Sequence, residues 1–159
     1  MNAYAVEVTT REDVTDAEGR RLAADIADLG IEAPVRARVS RMYWLRGSIG
    51  REEVEALARR LLADAVSETW AVDDDALRPE AGESGWIAEI RLKPGVMDAV
   101  GDSVLKGARD LGVTSLESAA TGSKVYLFGD LSRDEAERVC ERVLVNDVIQ
   151  TYALRPIAS

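Results

Sequence analysis

The stretch KPGVMDAVG, residues 93–101, decides how the chain is read. It places a cation, a Pro-Gly turn, an Asp and a Gly between an alternating apolar run and a helical one. At an offset of 82 positions, REDVTDAEG (11–19) repeats the arrangement: Val14, Asp16, Ala17 and Gly19 match Val96, Asp98, Ala99 and Gly101. Working outward at that offset, residues 4–72 lie over 86–154 without a gap. Asp28-Leu29-Gly30 falls on Asp110-Leu111-Gly112, Leu45 and Gly47 on Leu127 and Gly129, and Leu62, Val66, Thr69 and Ala71 on Leu144, Val148, Thr151 and Ala153. Gly and Asp punctuation kept in step over this length marks an internal duplication. The segment between the copies, DDDALRPEAGESG (73–85), is acidic and poor in apolar residues, and reads as a linker. The predicted organisation is therefore repeat 1 at 1–72, linker at 73–85 and repeat 2 at 86–159.

Each copy reads in the same order. Strand one is YAVEV (4–8) or WIAEIRL (86–92), alternating apolar and polar. After the junction, helix one buries Leu22, Ile26 and Leu29, or Val104, Ala108 and Leu111. Thr15 or Asp16 caps the first copy and Asp98 the second, and Gly30 and Gly112 end the helices in the left-handed way. Two strands are expected next: VRARV (35–39) then MYWLRG (42–47), and LESAA (116–120) then KVYLFG (124–129). Helix two starts at Gly50 or in the capping box Ser132-Arg133-Asp134-Glu135. Its apolar stripe is Val54, Leu57, Ala58 and Leu61, or Ala136, Val139, Cys140 and Val143. VSETWAV (66–72) and VIQTYAL (148–154) are the last strands. The order β-α-β-β-α-β predicts an α+β fold of two ferredoxin-like units in tandem, antiparallel sheets with helices on one face. The other sheet face needs a cover, and the sister copy is the expected one, giving a pseudo-dimer.

Composition removes several chemistries. The 159 residues carry a net charge of −9, which repels phosphate backbones and anionic lipids. Tyr43, Trp44, Tyr126 and Phe128 offer aromatics on the strands, but an acidic sheet is a poor RNA platform. No histidine is present, so the commonest general base and metal ligand are missing. Cys140 is the single cysteine and sits in an apolar stripe, so it reads as a small hydrophobe and excludes an intrachain disulfide. No CxxC, HExxH, GxGxxG or phosphate-binding loop occurs. Asp73-Asp74-Asp75 reads as solvated linker. No apolar run spans a membrane and no signal-peptide pattern opens the chain, so a cytoplasmic setting is expected.

The residues left over are at the junction. Lys93 ends strand one with a cation, Gly95 serves the turn, Asp98 caps the helix, and Gly101 costs up to about 1 kcal/mol against Ala in a first helical turn. Asp16 and Gly19 repeat the last two. A Gly kept there in both copies predicts close approach of a backbone or a ligand.

At this point the chain resembles the PurS family. The family's Lys-Pro-Gly-Val-x-Asp-x-x-Gly junction falls on Lys93, Pro94, Gly95, Val96, Asp98 and Gly101. Its late pattern falls on Cys140, Glu141, Leu144, Asn146, Val148, Ile149 and Tyr152. The Gly-Lys pair before the third strand is met only by Gly122 and Lys124. In the first copy Arg11-Glu12-Asp13 replaces the Lys-Pro-Gly turn. The resemblance implies a non-catalytic subunit of phosphoribosylformylglycinamidine synthase in purine biosynthesis. Its partners would be PurL and PurQ, in a complex that uses ATP, Mg and glutamine, with no cofactor on this chain. It implies contact with partners or ligand at Lys93, Gly95, Asp98, Gly101, Asp16, Gly19, Lys124 and Tyr152. It also implies that two ordinarily separate units are fused, as a pseudo-dimer or as half of a homodimer, or that the chain leads a longer PurL-type polypeptide. A tandem ACT domain, sensing amino acids, is the alternative that the Pro-Gly-Val turn allows.

Overall fold

The computed structural model describes residues 1–12 and 16–157. The matched Val14 and the candidate cap Thr15 lie outside them. The first repeat forms β1 (Asn2–Thr10), α1 (Ala17–Asp28), β2 (Arg36–Gly47), α2 (Arg51–Leu57) and β3 (Glu68–Val72). The second forms β4 (Gly85–Leu92), α3 (Ala99–Asp110), β5 (Leu116–Phe128), α4 (Arg133–Val139) and β6 (Gln150–Pro156). The α+β class, the antiparallel pairing and the duplication expected from the sequence are all present.

One expectation changes in detail. The two middle strands foreseen in each copy are a single long strand, β2 of 12 residues and β5 of 13. The expected break between those strands falls at the polar pair Ser40-Arg41. Instead, the Ser40 hydroxyl is buried and donates to the Glu7 carboxylate at 2.7 Å, a polar pair satisfied within the sheet. In β5 the dip at Thr121 has a similar cause: its N–H and hydroxyl both donate to Asp98, at 2.7 and 2.8 Å. Gly122 is absent from the positive-φ glycines, so nothing turns the chain there.

The compact units cut across the repeats. One comprises Met1–Val14, Ser40–Ala76 and Gly95–Gly122; the other comprises Thr15–Val39, Leu77–Pro94 and Ser123–Ser159. Each unit thus takes helix one from the repeat that did not supply its first strand, and the long strands β2 and β5 contribute to both units. The units of packing therefore differ from the segments that the sequence duplicates. The physical reason is the continuous middle strand: without a hairpin, it carries the chain out of one unit before helix two begins.

In the first unit the strand order is β3-β1-β2, continued by the start of β5. Val6, Val8, Tyr43, Leu45 and Val72 on one sheet face pack with Val54, Leu57, Ala58 and Leu62 after β2 and with Val104 and Ala108 of α3. In the second unit β6-β4 is continued by the end of β5 and the start of β2. There Ala88, Ile90, Val125 and Leu127 pack with Leu22 and Ile26 of α1, with Val139 of α4 and with Cys140 just after it. Most of the predicted helix stripes are buried; Leu29, Leu61, Leu111 and Val143 are half-buried, and Leu62 rather than Leu61 is buried in the first repeat. Gly30 and Gly112 take φ of +81° and +84° at the helix ends, as their positions predict. Ser132 and Glu135 close the expected capping box at 3.1 Å in each direction.

The linker is a packed strap. Asp73 exchanges two hydrogen bonds with Ala5, its N–H donating to Ala5 O and its carboxylate accepting from Ala5 N–H. Ala76 N–H donates to the buried Glu7 carboxylate at 3.1 Å. Leu77 is buried with Ile87, Tyr126 and Phe128, and Ile157 packs on the same cluster. These side chains lie on the sheet face opposite Ala88, Ile90, Val125 and Leu127, by strand alternation. In the second unit Leu77 of the strap and Ile157, just after β6, thus pack on the face that lacks helices.

Each second helix ends in a five-residue π-helical segment, Ala58–Leu62 and Cys140–Leu144. Their i to i+5 bonds run from Ala63 N–H to Ala58 O and from Val145 N–H to Cys140 O, each 3.0 Å.

Candidate functional site

The two junction aspartates have structural partners. Asp98 accepts from the Gly101 N–H at 2.8 Å and from Thr121. Asp16 accepts from the Gly19 N–H at 2.9 Å and pairs with the Arg38 guanidinium, also at 2.9 Å. In each copy, therefore, an N-cap carboxylate ties helix one to the middle strand. The glycines follow from that closeness. A Cβ on Gly19 would stand 2.3 Å from Ala37 O, and one on Gly101 2.3 Å from Ala119 O. Ala37 and Ala119 are themselves repeat equivalents. The close approach predicted from the sequence is a backbone carbonyl of the middle strand. Replacing Asp98 with Ala removes the cap and both Thr121 bonds. The expected cost is about 2 kcal/mol, read as a lowered urea midpoint; an unchanged midpoint would refute the tie.

Lys93 and Tyr152 come together in the second unit. The Lys93 backbone N–H donates to Ile149 O at 2.8 Å, and its ammonium donates to Asp147 O. The Tyr152 hydroxyl donates to the Glu141 carboxylate at 3.3 Å. Neighbouring Glu141 is the largest named charge effect on that phenol, after desolvation, and both push its pKa up. With Val145, Gln150 and Thr151 these groups line a cleft of about 390 Å³. Gly95 turns with φ of +87°, with no atom near where a Cβ would be. The eight residues singled out in the sequence thus fall into separate places: Lys93 with Tyr152, Asp98 with Gly101, and Asp16 with Gly19. Lys124 stands apart from all three. It is 3% exposed, its ammonium 5.5 Å from the Tyr126 ring centroid, so it does not present its charge to an outside partner.

Sequence reasoning missed a pair of matched turns. In the first repeat Asp64 accepts from the Val66 and Ser67 N–H groups, and Glu68 accepts from the Asp64 N–H. In the second, Asn146 accepts from the Val148 N–H, and Gln150 accepts from the Asn146 N–H. Each turn holds a valine at its apex, Val66 at 85% and Val148 at 76% exposure. The signal was available: an Asp/Asn and Glu/Gln pair four residues apart in both copies.

Cys140 is fully buried, and desolvation, aided by Glu141 and Glu137, pushes its thiol up to about 12. A neutral, inaccessible thiol is a poor nucleophile. Because the folded value lies above the ordinary 9.0, the neutral thiol's contribution to stability is intact below about pH 9. It is lost as pH rises from there through about 12. Native protein at pH 8 is expected to resist a thiol-reactive disulfide reagent and to react stoichiometrically once unfolded in urea. Rapid labelling of the native chain would overturn this. Among the described residues, no group of three or more His, Cys, Asp or Glu side chains is placed to hold a metal ion. No helix among them is long and apolar enough to cross a membrane.

The fold and these sites define a tandem protein whose two copies share one set of caps, turns and glycine approaches. The family model for PurS, phosphoribosylformylglycinamidine (FGAM) synthase, matches residues 3–75 and again 87–157. The chain belongs to the PurS family. It is 42% identical over 72 residues to phosphoribosylformylglycinamidine synthase subunit PurS of Archaeoglobus fulgidus, covering 41% of this chain and 88% of that one. Among solved structures it is similar to PurS of B. subtilis, at 22% identity and a TM-score of 0.43, over 47% of this chain and 99% of that one. It is also similar to PurS of Methanocaldococcus jannaschii, at 21% identity and a TM-score of 0.37, over 46% and 94% of the two chains.

Proposed function

We propose that the chain is a non-catalytic PurS-type subunit of FGAM synthase, needed to assemble the synthetase PurL with the glutaminase PurQ in purine biosynthesis. The observation that carries this reading is the family match made twice along one chain. Each repeat, 1–72 and 86–159, stands for one single-unit PurS, and the 73–85 strap joins them as a pseudo-dimer. The absence of histidine and the buried, neutral Cys140 accord with a scaffold. ATP, Mg and glutamine are assigned to the other subunits of a cytoplasmic complex. The Lys93–Tyr152 cleft and the matched Val66 and Val148 turns are the surfaces assigned to partner contact.

The test is reconstitution. Purified PurL and PurQ from the same organism are assayed for glutamine-dependent FGAM formation with and without this chain. Activity that requires the chain is expected. Equal rates without it, or turnover by the chain alone, would end the proposal. Light scattering of the assembled complex is expected to count one tandem chain where two single-unit subunits would otherwise stand.

A further inference from the structure

The duplication allows one position to be compared in its filled and its open state. In the first unit Arg41 lies over the end of the π-helical segment. Its guanidinium donates to Leu62 O at 3.0 Å, to the Tyr43 hydroxyl at 3.0 Å and to Glu68 at 2.5 and 3.0 Å. Leu62 beneath it is 5% exposed. Leu61 beside it reaches α3, where a Cβ on Gly107 would stand 2.8 Å from Leu61 Cδ1. That corner of the first unit is full.

At the same offset the second unit carries Ser123 for Arg41, Val143 for Leu61, Leu144 for Leu62 and Asp25 for Gly107. Ser123 and Val143 are shorter than Arg41 and Leu61, and Leu144, though the same residue as Leu62, is only half-buried. The result is a cleft of about 240 Å³ with an apolar floor of Leu22, Val39, Ile90, Val125, Val143 and Leu144, and with Ser123 in its wall. Its rim carries Glu18, Arg21 and Asp25 from α1, two acids against one base. The first unit has Val100 and Gly107 where the two acids stand. The anionic charge has therefore moved from the strand side, at Glu68, to the helix side. The volume lies below the roughly 300–1,000 Å³ of ordinary small-molecule pockets, and suits one long side chain better than a metabolite. The apolar floor suits a methylene stem and the acidic rim a planar cation.

We propose that this cleft is a socket for an arginine side chain presented by a protein partner, in the place that Arg41 fills from within in the first unit. The socket rests on the comparison of the two copies; only the identity of the partner rests on the function proposed above.

The first arm of the test uses the isolated chain. Acetyl-Gly-Arg-Gly-amide is titrated by amide-resolved NMR beside the same peptide carrying citrulline, which keeps the shape without the charge. Saturable shifts centred on Glu18, Asp25, Ser123 and Leu144 are expected for the arginine peptide alone. Glu18→Gln with Asp25→Asn, both exposed on α1, is expected to weaken binding about tenfold, and Ser123→Arg to abolish it by filling the socket. No saturable shift, or equal shifts with citrulline, would overturn the socket whatever the chain assembles with. The second arm compares wild type and Ser123→Arg in assembly of the synthase. Weakened assembly is expected; unchanged assembly would overturn the protein partner. A change in self-association of Ser123→Arg, read by sedimentation, would assign the occupant to a second copy and overturn it equally.

Discussion

Replacing Gly101 with Ala is expected to lower stability by about 3 kcal/mol, as overpacking against a fixed backbone atom does. In a protein of this size that corresponds to a fall in Tm of roughly 6–12 °C. The new methyl would stand 2.3 Å from Ala119 O and 3.1 Å from the Asp98 carboxylate, so neither the strand nor the cap can yield alone. Gly19→Ala meets the same obstacle at Ala37 O and is expected to behave alike. Gly30→Ala is the control. It has open space around it and only a φ of +81° to oppose it, so it should cost about 1–2 kcal/mol. Differential scanning calorimetry of the three variants decides the matter. If Gly101→Ala melted like wild type, the glycine would be kept for a ligand rather than for the carbonyl.

Phe128→Ala has the second large effect, about 3–5 kcal/mol. Phe128 is 2% exposed and stacks on Tyr126 with ring centroids 5.7 Å apart. The Arg36 guanidinium lies over the Phe128 ring, 4.1 Å from its centroid. Leu77 and Ile157 pack in the same cluster, so the cavity opens directly beneath the strap. Two readouts are expected together: a lower urea midpoint, and faster amide exchange over residues 77–84 than elsewhere. Loss of stability without faster exchange in the strap would show that the strap is held by its polar contacts instead. The candidates for that are the Arg36–Glu83 pair at 2.8 Å and the Gly129 N–H bond to Ser84 O at 2.9 Å.

Much of the site was legible because its signals are local. An Asp before a helix, a Gly two positions past its end, and a Ser three residues before a Glu each act through bonds a few residues long. Asp16, Asp98, Gly30, Gly112 and Ser132 were therefore read correctly. The partners that hold those residues were not legible. Asp16 pairs with Arg38 while Asp98 meets Thr121, 22 and 23 residues away. The surroundings of Lys124 were not legible either: strand alternation places it on the face of Tyr126 and Phe128, where it is buried. The resemblance to PurS, carried by the junction and by the run from Cys140 to Tyr152, held because spaced identities survive where packing details diverge.

The sequence alone determined the duplication, the helix caps and most of the buried stripes, since each depends on periodicity and short-range capping. It also determined the family, through the punctuation both copies keep. The tertiary structure decided which segments pack together. Two strands became one because Ser40 and Thr121 find their partners in the sheet and on the helix cap, and an unbroken strand carries the chain from the unit of helix one to the unit of helix two. It also decided that residues 73–77 are bound rather than loose, because a buried carboxylate at Glu7 must be satisfied and Ala76 supplies an N–H to do it.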